Sequence, residues 1–127
     1  MDPKAQPRFD HERLQVYDLS LDFVAWLTDL LTDVSESNRP NLRETINQID
    51  RASTSIVLNI AEGNGRRATK QRAKFFDDAR GSATEAAACL DVLVAKRATR
   101  RQRVDEGKHL LLRIVSMLSK LIERFDR

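Results

Sequence analysis

Cysteine is nearly absent: Cys89 stands alone among 127 residues, so no internal disulfide can form, and a reducing compartment is expected. Nothing around Cys89 suggests an activated thiol, and a small buried cysteine is the expected role. Long apolar runs are missing as well. The longest fall far short of the roughly 20 residues that cross a bilayer. The opening MDPKAQPRFDHERL has no apolar signal-peptide core. Together these absences predict a cytoplasmic protein with no membrane partner.

Catalytic groupings are also lacking. His11 and His109 are isolated, and Ser53, Ser55 and Ser82 have no recognisable base partner. Glu106-Gly107-Lys108-His109 spells half of a di-iron bundle motif, but the second copy and the further inward carboxylates are absent. Gly63-Asn64-Gly65-Arg66-Arg67-Ala68 partly matches a dinucleotide fingerprint, yet it follows a helical pattern rather than a strand. No catalytic residue, metal or cofactor is expected, and the chain reads as non-enzymatic.

What is present is helical periodicity and charge. The length suits one domain, and a charged fraction of 32% fits a thin helical assembly. Residues 1–10, with Pro3 and Pro7, read as a loose arm before a single domain over 11–127. A first helix is predicted from about Asp10 to Val34, with two apolar rows. Leu14, Tyr17, Leu21, Val24 and Leu31 form one row, with Thr28 as its polar member. Val16, Leu19, Phe23, Trp26 and Leu30 form the other, roughly 140° away at about 100° per residue. One bundle needs one row. The surplus row is assigned to Val16, Leu19, Phe23, Trp26 and Leu30, predicted to be buried between subunits, because exposed it would invite aggregation. Asp18, Asp22, Asp29 and Asp33 form an acidic stripe between the rows, read as a solvated face.

Ser35–Asn41 reads as a loop containing Pro40. A second helix carries Leu42, Ile46, Ile49, Ser53, Ile56 and Ile60. It is expected to end at Gly63 and Gly65 in left-handed conformations. Thr69 is expected to cap a third helix, with Phe76, Ala79, Ala83, Ala86, Leu90 and Leu93 inward, and Gly81 and the alanines allowing close approach. A fourth carries Val104, Leu111, Ile114, Leu118, Leu121 and Phe125, with Gly107 at the missing heptad position. Four amphipathic segments and no strand pattern predict an all-α, antiparallel up-down-up-down four-helix bundle.

The cations are concentrated in two connectors at opposite poles of such a bundle. Arg66, Arg67, Lys70, Arg72 and Lys74 surround the second turn, and Lys96, Arg97, Arg100, Arg101 and Arg103 fill the third connector. Arg72 opposes its own helix dipole. Forked donors and backbone N–H groups beside a helix N-terminus suit phosphate. With no aromatic platform or groove-reading motif, recognition is expected through backbone charge and shape. Arg51 and Glu85 are expected to pair between the second and third helices and fix their register.

The run Gln48-x-x-Arg51-Ala52-x-x-Ser55-Ile56-x-x-Asn59-Ile60-Ala61-Glu62-Gly63, then Gly65-Arg66-Arg67, then Ala79-x-Gly81-Ser82-x-x-Glu85 resembles the four-helix bundle family of 23S rRNA intervening-sequence proteins. That family is also called the S23 ribosomal protein family. More distantly, the chain is similar to accessory variability determinants of diversity-generating retroelements. The resemblance spans Phe9 to Phe125 and implies a bacterial bundle that assembles as a homo-oligomer, commonly a pentamer. It implies structural roles for Arg51, Asn59, Glu62, Gly63, Gly65, Ser82 and Glu85, and nucleic acid as partner, RNA ahead of DNA. Arg72 departs from the family's usual Glu, and the 96–103 connector is unusually basic. The alternative left open is a protein-interaction scaffold or an accessory subunit of a nucleic-acid enzyme such as a reverse transcriptase.

Overall fold

The computed structural model describes residues 8–125; most of the expected N-terminal arm, residues 1–7, lies outside them. Among the described residues there are four α-helices and no strand: α1 Gln15–Ser35, α2 Arg43–Gly65, α3 Thr69–Ala95 and α4 Arg101–Phe125. Short 3₁₀ turns, Asp10–Arg13 and Pro40–Leu42, lead into α1 and α2. The first helix thus starts five residues later than expected.

Contacts between neighbouring helices climb one while descending the other, so the neighbours are antiparallel. Asn64 meets Arg72 and Ser55 meets Ser82 across α2 and α3. Arg80 reaches Ser119 and Lys108 reaches Asp91 across α3 and α4. Arg103 reaches Asp33 across α1 and α4.

One continuous core joins the four helices. Ile49, Ile56 and Ile60 of α2, and Phe76, Ala79, Ala83, Ala86, Leu90 and Leu93 of α3, are fully buried, as their spacing predicts. The α1 assignment is corrected. Val16, Leu19, Phe23 and Leu30 are buried inside this bundle, together with Leu27 and Val34, and Trp26 packs against the same core. That row is the chain's own core, not a surface between subunits. The row left at the surface is the other one: Tyr17, Val24 and Leu31 are half-buried and Leu21 is exposed.

Several local expectations change too. No glycine has a positive φ, because α2 continues through both Gly63 and Gly65. Gly63 serves close packing instead: a Cβ there would come within 3.0 Å of Phe75 Cβ and Phe76 Cε1. Gly65 and Gly81 have nothing within 4 Å of such a Cβ, so Gly81 does not mediate helix approach. Gly107 does, because its missing side chain leaves the space taken by the Trp26 ring. Thr69 is the first residue of α3 rather than its cap; extended Ala68 precedes it, and no side chain caps that end. Arg51 and Glu85 are both exposed and form no ion pair with each other. The register contact is the Ser55–Ser82 hydroxyl bond of 2.9 Å, backed by Asn59 Nδ2 donating to Ser55.

At the C-terminus of α3, Ala98 N–H bonds Leu93 O at 2.9 Å and Arg97 N–H bonds Val94 O at 2.9 Å. This Schellman closure needs a left-handed residue, usually glycine, and here it is Arg97 at φ 60°. The left-handed conformation costs an L-residue about 1–2 kcal/mol, while glycine's greater unfolded freedom returns about 0.5–1 kcal/mol of that. Arg97→Gly is therefore expected to stabilise the fold by up to ~1 kcal/mol in urea unfolding. A lower unfolding midpoint would contradict this account of the turn.

Candidate nucleic-acid interface

At the first pole, α2 ends at Gly65, residues 66–68 cross over, and α3 begins at Thr69. Arg66 and Ala68 are extended, which breaks the helical path between two exposed arginines. Arg66 pairs with Glu62 at 2.8 Å, one turn back, and lies over the Phe75 ring at 4.9 Å. Both partners of that pair are solvent-exposed, so it contributes at most about 1 kcal/mol and leaves Arg66 available. Arg67, Lys70 and Lys74 are exposed and join no ion pair among the described residues.

Arg72 behaves differently. It donates from Nη2 to Asn64 Oδ1 at 3.2 Å and from Nη1 to Arg66 O at 3.5 Å, and its guanidinium lies 4.5 Å from the centre of the Phe125 ring. Asn64, itself buried, donates in turn to Asp10 Oδ2 at 2.8 Å. This chain of contacts ties the N-terminal 3₁₀ turn, the end of α2, the start of α3 and the end of α4 into one pole. Arg72 is therefore a structural latch whose contacts compensate for its unfavourable place in the helix dipole. It leaves the group of free cations.

At the opposite pole the two connectors are stapled together. Arg39 Nη2 donates to Lys96 O at 3.0 Å, and Lys96 Nζ donates to Asn41 O at 2.8 Å. Arg101–Arg103 belong to the first turn of α4, with no acidic residue in it. Arg103 is engaged by Asp33 at 3.3 Å and lies over the Trp26 ring at 5.7 Å. Arg97, Arg100 and Arg101 are exposed and unpaired among the described residues. The ten cations thus divide. Arg72, Lys96 and Arg103 hold the bundle's ends, Arg66 is loosely paired, and Arg67, Lys70, Lys74, Arg97, Arg100 and Arg101 are free.

Three features escaped the sequence pattern. Arg39 joins the second pole only because its loop touches the 96–100 connector. Phe75 lies under Arg66 and Lys74, although its position three residues past Arg72 looks like ordinary helix. An aromatic stack does exist, contrary to expectation: Phe9 stacks on His11 at 5.6 Å, and His11 meets Tyr17 edge-on at 4.7 Å. Nothing in residues 9–17 distinguishes these aromatics from core residues, so only the fold reveals the stack.

Elsewhere the structure offers little chemistry. Among the described residues no three His, Cys, Asp or Glu side chains converge. No helix among them is long and apolar enough to cross a membrane. Glu106 and His109 are exposed. Burial pushes the thiol of Cys89 up from its ordinary value, and the Glu85 carboxylate pushes it further, which keeps it protonated and unreactive. Between α1 and α2 runs an open groove of about 650 Å³ lined by Val24, Leu27, Leu31 and Ile46, with Glu36 and Asp50 among its polar residues. The Thr28, Thr32 and Ser53 hydroxyls there donate to carbonyls of their own helices at 2.8–2.9 Å, so their hydrogen-bond donors are already used.

The comparisons agree with this architecture. The chain is similar in fold to a crystal structure from Bacteroides thetaiotaomicron, described as a protein of unknown function from the S23 ribosomal protein family. The TM-score is 0.76 at 22% identity, covering 84% of this chain and 97% of that one. No curated protein matches the chain. Residues 12–120 match the family described as 23S rRNA-intervening sequence protein, a span that takes in all but the ends of the bundle, and the chain belongs to that family.

Proposed function

We propose that this protein is a non-enzymatic, cytoplasmic nucleic-acid-binding bundle, with RNA as its ligand. The observation that carries the reading is the set of free cations, Arg67, Lys70 and Lys74 at one pole and Arg97, Arg100 and Arg101 at the other. None is neutralised by a described acid. Mutual repulsion makes such clusters unfavourable in the isolated chain, and an anionic partner relieves it. Arg97 adds to the case, since a strained backbone position is occupied by a cation where glycine would be easier. The family's name supports RNA over DNA.

The test is binding of unrelated RNA sequences by wild type and by Arg66→Gln/Arg67→Gln/Lys70→Gln. Each neutralised phosphate releases counterions, so loss of three contacts should flatten the slope of log K against log salt by about 2–3. Affinity should fall at least tenfold across sequences while helicity and assembled mass stay unchanged. Equal binding by the triple variant at physiological ionic strength removes this turn from the interface.

The α1–α2 groove favours a second role, assembly. Its apolar floor, the acidic Glu36 and Asp50 in its lining and the exposed Leu21 of α1 suit a second copy presenting a basic, apolar surface. Homo-oligomerisation would repeat the basic poles and strengthen weak contacts through multivalency. A foreign protein, including a nucleic-acid enzyme, is the competing occupant, and in that case the bundle acts as a scaffold.

A further inference from the structure

We propose that the Phe9–His11–Tyr17 stack is a platform for an unpaired nucleobase, so that the pole bearing the 66–68 turn takes single-stranded nucleic acid in preference to duplex. This rests on the nucleic-acid reading above and names the form of ligand.

Phe9 is 73% exposed, the most exposed large apolar residue among those described. Its ring is nonetheless positioned. It lies nearly parallel to His11, at an interplanar angle of 17°. His11 is in turn braced edge-on by Tyr17 at 63°, and Tyr17 packs against the core. Asp10, between Phe9 and His11, accepts the bond from buried Asn64, which fixes the stack at the end of α2, two residues before Arg66. One face of Phe9 is taken by His11 and much of the remainder meets solvent. A flat aromatic surface at the same pole as free arginines and lysines is what single-strand binders use: bases stack on the ring while the backbone follows the cations. Bases within a duplex are already stacked and cannot reach such a surface without unpairing.

The experiment uses the full chain and a mixed-sequence RNA 20-mer carrying 2-aminopurine at its centre, single-stranded or annealed to its complement. The single strand should bind wild type with quenching of the 2-aminopurine emission. Phe9→Ala should bind it about 5- to 100-fold more weakly, without quenching, with its salt slope and duplex binding unchanged. Phe9→Leu keeps an apolar side chain but no ring and should behave like Phe9→Ala. Phe9→Trp should restore both affinity and quenching. Circular dichroism should show unchanged helicity in all three, since Phe9 lies outside the helices. Wild-type affinity and quenching in Phe9→Ala would overturn the platform while leaving the charge-based reading intact. Equal weakening of single-strand and duplex binding, or wild-type behaviour of Phe9→Leu, would also overturn it. If the wild type binds neither RNA form, both readings fail.

Discussion

Phe23→Ala is expected to destabilise the folded subunit by about 3–5 kcal/mol, the usual cost of removing a large aromatic from a closed core. Phe23 has no exposed surface and packs beside Trp26 with ring centroids 5.7 Å apart. The measurement is urea unfolding, with the midpoint falling and the slope unchanged. The contrasting variant is Leu21→Glu, at an exposed position of the other α1 row. It should leave the subunit's unfolding midpoint almost unmoved but reduce the assembled mass in light scattering if that face meets a second copy. Were Phe23→Ala to lower the assembled mass without loss of subunit stability, the core assignment of α1 would be wrong. An unchanged mass in Leu21→Glu would remove the α1 surface from the assembly.

The second large effect concerns two glycines that respond in opposite directions. Ala is favoured over Gly inside a helix by about 0.8–1.0 kcal/mol. At Gly81, where an added Cβ meets nothing within 4 Å, Gly81→Ala should realise most of that gain. At Gly107 the added carbon would occupy the space of the Trp26 ring, and overpacking costs typically 1–3 kcal/mol. Gly107→Val adds two more carbons and little helix propensity, so the clash dominates and the variant should lose about 2–3 kcal/mol. Trp26 is the protein's one tryptophan, which makes the displacement directly visible. Its emission should shift to longer wavelength as the ring is forced toward water and away from Arg103. A stabilised Gly107→Val with unshifted emission would show that the ring does not fill that space.

Helix order, connector positions and most inward residues of α2, α3 and α4 were legible from apolar spacing, because each of those helices carries one unambiguous row. In α1 the spacing supported two rows equally well, and tertiary partners made the choice. One signal was available: Thr28 interrupts the row that stays outside, whereas Val16, Leu19, Phe23 and Leu30 run without a polar member into Leu27 and Val34. Among the site residues, charge clustering located both poles but could not separate free cations from engaged ones. Arg72 resembles its neighbours in sequence, and its role depends on Asn64, Asp10 and Phe125, which only the fold brings together. The same holds for Lys96 and Arg103. The left-handed residue of the third connector was hidden because arginine, unlike glycine, carries no local sign of positive φ.

The two basic ends are held apart by helices of 23 and 27 residues, a rigid spacer of roughly 35–40 Å at 1.5 Å per residue. If both ends take RNA as proposed, the bundle is a molecular ruler as well as a pair of contact points. An RNA strand much shorter than this spacer can occupy one end of a subunit only, and adding nucleotides within that range brings no new cations into reach. Once the length passes the span, the same molecule can bridge both ends, the second engagement becomes intramolecular, and affinity should rise in a step rather than in proportion to length.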